Sequence, residues 1–448
     1  MRNRRIVTLF EHQEQAYADL GWRVDHPIIQ ALDEVNKVHR REIFRLGRKS
    51  FRPLQHVGVI RVGKVDLEIL PKVDFHPGGS ADGPPGSQGR ELAVRSASEN
   101  LLEMMRYAYG LPPLRPQDAS IGLQGGTWLD LLTWLFASEL HGQALKGLSR
   151  SYIPIEEASR FLRGRWDVQR QLLRRPVDRH RFEVLHDEFS LDTQLNRVFR
   201  LVTQRLLMST DHAPSRTLLT DIRLWLDEAE NVESVPPSDL DRLPFSRLND
   251  RFQPAFNLAR MLLEHSVPDL RVGATDIVTV LIDMNLLFER FVVGFLRSHK
   301  SRILPSVWGG ARLVSQMEGY RAFLLERLPD QIPTSRVIPD ICVQSPTGRI
   351  LAIADTKYKV LDRLAGASAL LEGDAYQMLA YGNRLDCRCA VVISPSAGRH
   401  VTATTEFRSV SDDRRLISTT LDLHSPLRDP TPLVEHLRTV FAQAELLA

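Results

Sequence analysis

Over roughly the first 75 residues, short apolar runs alternate with polar ones, and that alternation predicts strands rather than helices. Two such runs, 57–62 and 65–70, are separated only by Gly63-Lys64, which predicts a hairpin with a two-residue turn. In the second run Val65, Leu67 and Ile69 share one face and Asp66 and Glu68 the other, the pattern of a half-buried strand. Pro71 should end it. A helix is expected within 27–41. Residues 76–90 are almost all Gly, Pro and small polar side chains, which predicts a loop unable to bury a core.

Beyond this loop the apolar spacing becomes helical, over 101–108, 129–140, 195–208 and 256–263, with a loop at 234–238. A long helix is expected from about Thr275, a good N-cap, to about Ser298. Glu289 lies on its apolar side among Ile282, Leu286, Val292, Val293 and Leu296. A carboxylate there is costly unless paired or bound to a cation, so Glu289 is either a salt-bridged structural acid or part of a site. Asp283 falls on another face and reads as an exposed or paired acid.

Two further runs, 337–343 and 350–356, flank the turn-rich segment 344–349 and predict an antiparallel hairpin. The continuous apolar stretch 350–354 suggests a strand buried on both faces. Pro339 interrupts regular pairing where Asp340 must turn inward. Asp340 and Asp355 can then converge on one hard cation, for which Mg²⁺ is suited. Lys357 shares the face of Asp355 by strand alternation and could orient or deprotonate an attacking water. Lys359 is a weaker candidate past the strand end. Gln377 and Tyr381, four apart on a predicted helix, could support the site or merely pack polar edges against the sheet. Asp374 reads as that helix's N-cap, and 389–393 as a further core strand.

Composition adds boundaries rather than chemistry. The 448 residues suggest two or three domains, and a net charge of +3 neither demands nor excludes nucleic acid. Ten basic residues between 146 and 181 could meet phosphates, form a solvated face, or contact an acidic partner. The three cysteines, Cys342, Cys387 and Cys389, do not complete a zinc site and are expected to be reduced thiols in a cytoplasmic protein. The start of the chain lacks a signal-peptide pattern, no stretch reads as a membrane span, and no Gly-rich phosphate loop is present. The chain itself is therefore not expected to bind a nucleotide.

The order of these features is recognisable. Glu289, Pro339-Asp340, Asp355-Thr356-Lys357 and Gln377-Met378-Leu379-Ala380-Tyr381 resemble the PD-(D/E)xK nuclease superfamily, in its Gln-x-x-x-Tyr branch. The stretches 57–60, 67–72, 162–168 and 283–291 extend the resemblance to the McrC family, nuclease subunits of McrBC-type modification-dependent restriction systems. The resemblance implies an α+β multidomain protein. Its parts would be an N-terminal β-rich motor-docking domain (1–95), a mainly helical middle region (96–270) and a C-terminal α/β nuclease domain (271–448) with a mixed central sheet flanked by helices. It implies Mg²⁺, with Mn²⁺ as substitute, held by Asp340, Asp355 and Glu289. Lys357 would be catalytic, and Gln377 and Tyr381 would support it. It also implies double-stranded DNA as substrate, a McrB-like AAA+ GTPase or ATPase hexamer as motor, stimulation of that motor, and pairing of two McrC-like subunits. The activity would serve defence against phage and other foreign DNA. Two other functions fit the same residues: a self-sufficient nuclease, and an adaptor that only activates the motor.

Overall fold

The computed structural model describes residues 4–71, 88–113, 126–178, 180–267, 270–272, 275–316, 322–359, 372–396 and 402–446. Most of the predicted loop, 76–87, and Lys72 lie outside the described residues. Residues 88–90 do not belong to a loop: they open the helix Gln88–Tyr109. The chain is a mixed α/β protein with several sheets. Its contacts divide it into two compact units, Leu114–Glu264 and the combination of Asn3–Pro113 with His265–Ala448.

The middle unit carries the helices Trp128–Ala144, Gln194–Ser209 and Ala213–Trp225, as their apolar periodicity requires. Phe136, Phe199 and Phe252 are fully buried in its core. The unit is less uniformly helical than its spacing suggests. Ser151–Ser159, Arg165–Trp166 and Phe182–Ser190 form a three-stranded antiparallel sheet, and a short helix begins at Pro237 inside the predicted loop. The basic stretch runs through this sheet. Its charge is partly offset, because Arg163 pairs with Glu157, Arg170 with Glu156 and Arg174 with Glu183.

The other unit contains two larger sheets. The first has five strands in the order Arg5–Phe10, Val65–Leu70, His56–Val62, Thr275–Asp283, Arg271–Val272. The helix Pro27–His39 lays Ile28, Ile29, Leu32 and Val35 in one core cluster with Ile60, Leu67 and Ile69 of this sheet. Two expectations are corrected here. Val65–Leu70 is an interior strand buried on both faces, not a half-buried one. Asp66 is tolerated because Arg61 donates to it at 2.6 Å and Arg4 at 3.3 Å, while Thr8 donates to Glu68 at 3.1 Å. The helix does not start at Thr275. The β-branched run after it forms the strand Thr275–Asp283, antiparallel to His56–Val62. Gly58 permits that pairing, since a Cβ there would meet the Val280 carbonyl oxygen at 2.3 Å. The helix is Met284–Ile303, with Asp283 as N-cap accepting from the Asn285 N–H at 3.0 Å.

The second sheet has six strands in the order Arg312–Ser315, Ile341–Gln344, Ile350–Thr356, Cys389–Pro395, Arg415–Leu421, Thr404–Arg408. It is mixed. Ile350–Thr356 runs antiparallel to Ile341–Gln344, as the turn between them predicts, and parallel to Cys389–Pro395. The helix Glu372–Arg384 packs Met378 against Ile353, Ala390 and Val392, and Thr431–Glu445 also packs on this sheet. The three cysteines are buried free thiols. Among the described residues no helix is long and apolar enough to cross a membrane.

Candidate active site

Four segments carry the candidate residues. Val337 ends the strand Ile332–Val337, and Ile341 begins the next, so Pro339 and Asp340 occupy the break between them. Asp355 and Thr356 close the neighbouring strand Ile350–Thr356. The Thr356 backbone N–H and hydroxyl both donate to Asp340 Oδ2, each at 2.7 Å. That double clamp fixes one oxygen of Asp340 across the two strand ends, and its other oxygen accepts no hydrogen bond from the described residues.

Asp355 is only 2% exposed. Burial, and after it the charge of Asp340, push its carboxyl up to about 6, against the pull of Lys357. Lys357 Nζ lies 2.5 Å from Asp355 Oδ2. It donates to Gln377 Oε1 at 3.2 Å, and Gln377 Nε2 donates in turn to the Tyr381 hydroxyl at 3.1 Å. A continuous chain thus runs Asp355–Lys357–Gln377–Tyr381. Burial works to lower the Lys357 pKa, but the hydrogen bond and charge of Asp355 outweigh it and hold the ammonium above its ordinary value. In this arrangement Lys357 is held as a charged donor beside Asp355.

Glu289 stands on the helix Met284–Ile303, next to the fully buried Phe288. Its carboxyl is raised above the ordinary value by burial and then by Asp340, with Asp355 adding and Gln316 and Arg290 opposing. It therefore feels both aspartates. Gln316 donates to Glu289 Oε1 at 2.6 Å. The helix is held by close packing: at Gly294 an added Cβ would meet the Tyr107 carbonyl oxygen at 2.0 Å. Asp374 is the third residue of its helix rather than the cap, 3.6 Å from Lys359.

Among the described residues no three His, Cys, Asp or Glu side chains form a group that could hold a metal ion. Mg²⁺ does not need such a cage, since it commonly takes one or two carboxylates and fills its octahedron with water and phosphate oxygens. Asp340 and Asp355 fit that demand in donor chemistry. Burial first, and then the charge of Asp340, raise the Asp355 carboxyl, and a bound cation would oppose both.

Other residues at the site carry no sequence signal for their contacts. Thr356 stands inside Asp-Thr-Lys, and spacing alone says nothing of its two bonds to Asp340. Gln316 left no pattern at all. Tyr358, directly after Lys357, reaches Glu11 from the other end of the chain. A cavity of about 620 Å³ opens in the middle unit beside Arg150, Tyr152 and Phe189, and none of the candidate residues lines it.

Residues 51–394 match the family described as McrBC 5-methylcytosine restriction system component. The fold is similar to a chain in the refined half-complex from the tetradecameric assembly of Thermococcus gammatolerans McrB AAA+ hexamers with bound McrC. That similarity has a TM-score of 0.60 at 22% identity and covers 98% of this chain and 99% of the other. A chain in the cryo-EM structure of the Thermococcus gammatolerans McrBC complex is similar at a TM-score of 0.49 and 25% identity, over 66% of this chain and 88% of that one. No curated protein matches the sequence.

Proposed function

This chain belongs to the family of McrBC 5-methylcytosine restriction system components, and from that premise we propose that it is the subunit that hydrolyses DNA phosphodiester bonds. The observation that carries the reading is the meeting of Asp340 and Asp355 at adjacent strand ends, with Lys357 against Asp355. That arrangement suits a PD-(D/E)xK-type nuclease.

Asp340 and Asp355 are the residues that would hold Mg²⁺, or Mn²⁺ in its place, with Glu289 as a further oxygen donor. A bound divalent cation supplies Lewis acidity toward the scissile phosphate and a more acidic water. The protein's own residues do the rest. Thr356 fixes one oxygen of Asp340 with two hydrogen bonds, and the other is the one that would meet the cation. Lys357, kept charged by Asp355, donates to the oxygens on which negative charge develops. Gln377 holds the Lys357 ammonium in place, and Tyr381 supports Gln377.

The solved relative contains McrC bound to McrB AAA+ hexamers. We extend this to the present chain: its partner is an AAA+ NTPase whose hydrolysis it stimulates, and double-stranded DNA is the substrate. The middle unit offers a surface suited to a protein partner. Around its small sheet Tyr152, Phe161, Leu173, Val177 and Phe189 are exposed, interspersed with arginines that already pair with glutamates. The N-terminal β-rich part (1–95), which the resemblance names as the motor-docking domain, is the other candidate surface.

The test is plasmid cleavage with Mg²⁺, omitting in turn the AAA+ partner and its nucleotide. Cutting should require the full mixture. Robust cutting by the chain alone would make it a self-sufficient nuclease. Cutting that survives Asp355→Ala would reduce it to an adaptor.

A further inference from the structure

Gln316 follows the edge strand Arg312–Ser315 of the six-stranded sheet and has a φ of 46°. This left-handed conformation is unfavourable for a side chain with a Cβ; glycine and asparagine are its usual occupants. Burial does not compensate, because Gln316 is exposed. What the residue makes instead are two bonds into the candidate site. Its backbone N–H donates to the Asp340 carbonyl oxygen at 3.0 Å, and its side-chain amide donates to Glu289 Oε1 at 2.6 Å.

The two bonds divide the work. The backbone bond would survive replacement by glycine or asparagine, both of which fit the conformation better. The bond to Glu289 needs a long side chain ending in a donor. Asparagine is one methylene shorter, and glutamate has the reach but is an acceptor when ionised. A strained glutamine where an unstrained residue would make the same backbone bond is an outlier that points to function. We propose that Gln316 is a positioning residue. It ties Glu289, carried by a helix, to the strand break that carries Asp340, and so sets where the third carboxylate stands relative to Asp340 and Asp355. The inference rests on the nuclease reading above and deepens it.

The experiment uses Gln316→Gly and Gln316→Asn in the full chain, each also combined with Glu289→Gln. Three quantities are read: the thermal midpoint without metal, Mn²⁺ affinity by titration calorimetry, and plasmid cleavage with the AAA+ partner. Both single variants should leave the thermal midpoint unchanged or raised while Mn²⁺ affinity and cleavage fall, each by about tenfold. In the Glu289→Gln background the same substitutions should have no further effect on Mn²⁺ affinity. Unchanged affinity in the single variants, or a loss of equal size in the Glu289→Gln background, would overturn the proposal. Asp355→Asn is run beside them to separate the two levels. If it abolishes cleavage while Gln316→Gly changes nothing, the positioning role falls and the nuclease reading stands. If Asp355→Asn also cuts normally, the nuclease reading itself falls.

Discussion

The hydroxyl of Tyr358 donates a hydrogen bond to the carboxylate of Glu11, joining the residue after Lys357 to the residue after the first strand. Both side chains are buried, and the Tyr358 ring lies 5.8 Å from that of Phe288, which precedes Glu289. The N-terminal sheet is thereby fastened to both flanks of the candidate site. Tyr358→Phe removes a charge-assisted bond from a buried carboxylate, and should destabilise the protein by about 1–3 kcal/mol. Urea denaturation would show a lower midpoint with an unchanged slope.

Asp355 is predicted to oppose folding while serving chemistry. Its carboxyl is raised in the folded state from the ordinary 3.8 to about 6. The sign follows directly: a raised acid favours folding below its unfolded pKa, and that advantage is lost as pH rises through the folded value. Asp355→Asn should therefore have a thermal midpoint above wild type at pH 8. The gap should shrink as pH falls from about 6 toward 4, while cleavage is abolished at every pH. Scanning calorimetry across this range checks it. A variant destabilised most at pH 8 would contradict the account.

Gly294 tests the seat of the Glu289 helix. Helix propensity alone makes Gly→Ala favourable by about 1 kcal/mol in a helix interior. At this position the added methyl would collide with the Tyr107 carbonyl oxygen. Gly294→Ala should instead destabilise by about 1–3 kcal/mol, with a lowered thermal midpoint as the readout.

Thr356→Val keeps the shape and the backbone N–H but removes the hydroxyl that donates to Asp340. Cleavage should fall about tenfold, the effect of about 1.4 kcal/mol on a barrier. Stimulation of the partner's NTP hydrolysis should be unchanged. Steady-state assays of both activities on one preparation decide it.

The hairpin that carries Asp340, Asp355 and Lys357 was legible because strand alternation and Pro339 act over a few residues. Local periods also put Gln377 and Tyr381 on one helix face, but their meeting with Lys357 is a contact between a strand end and a helix that only the family resemblance implied. What could not be read was set by distant pairing. The segment after Thr275 has an apolar spacing that fits a helix, and it becomes a strand because His56–Val62, more than 200 residues earlier, presents an open edge and a glycine. The burial of Asp66 has the same origin, since only the assembled sheet places Arg61 and Arg4 beside it. Gln316 was invisible for another reason: its role lies in a backbone angle and one side-chain bond.

The most direct test of the central claim is Mg²⁺-dependent plasmid cleavage by Lys357→Ala in the presence of the AAA+ partner and its nucleotide. Cutting should fall by at least about a hundredfold, with the partner's NTP hydrolysis still stimulated. Undiminished cutting by Lys357→Ala would contradict it.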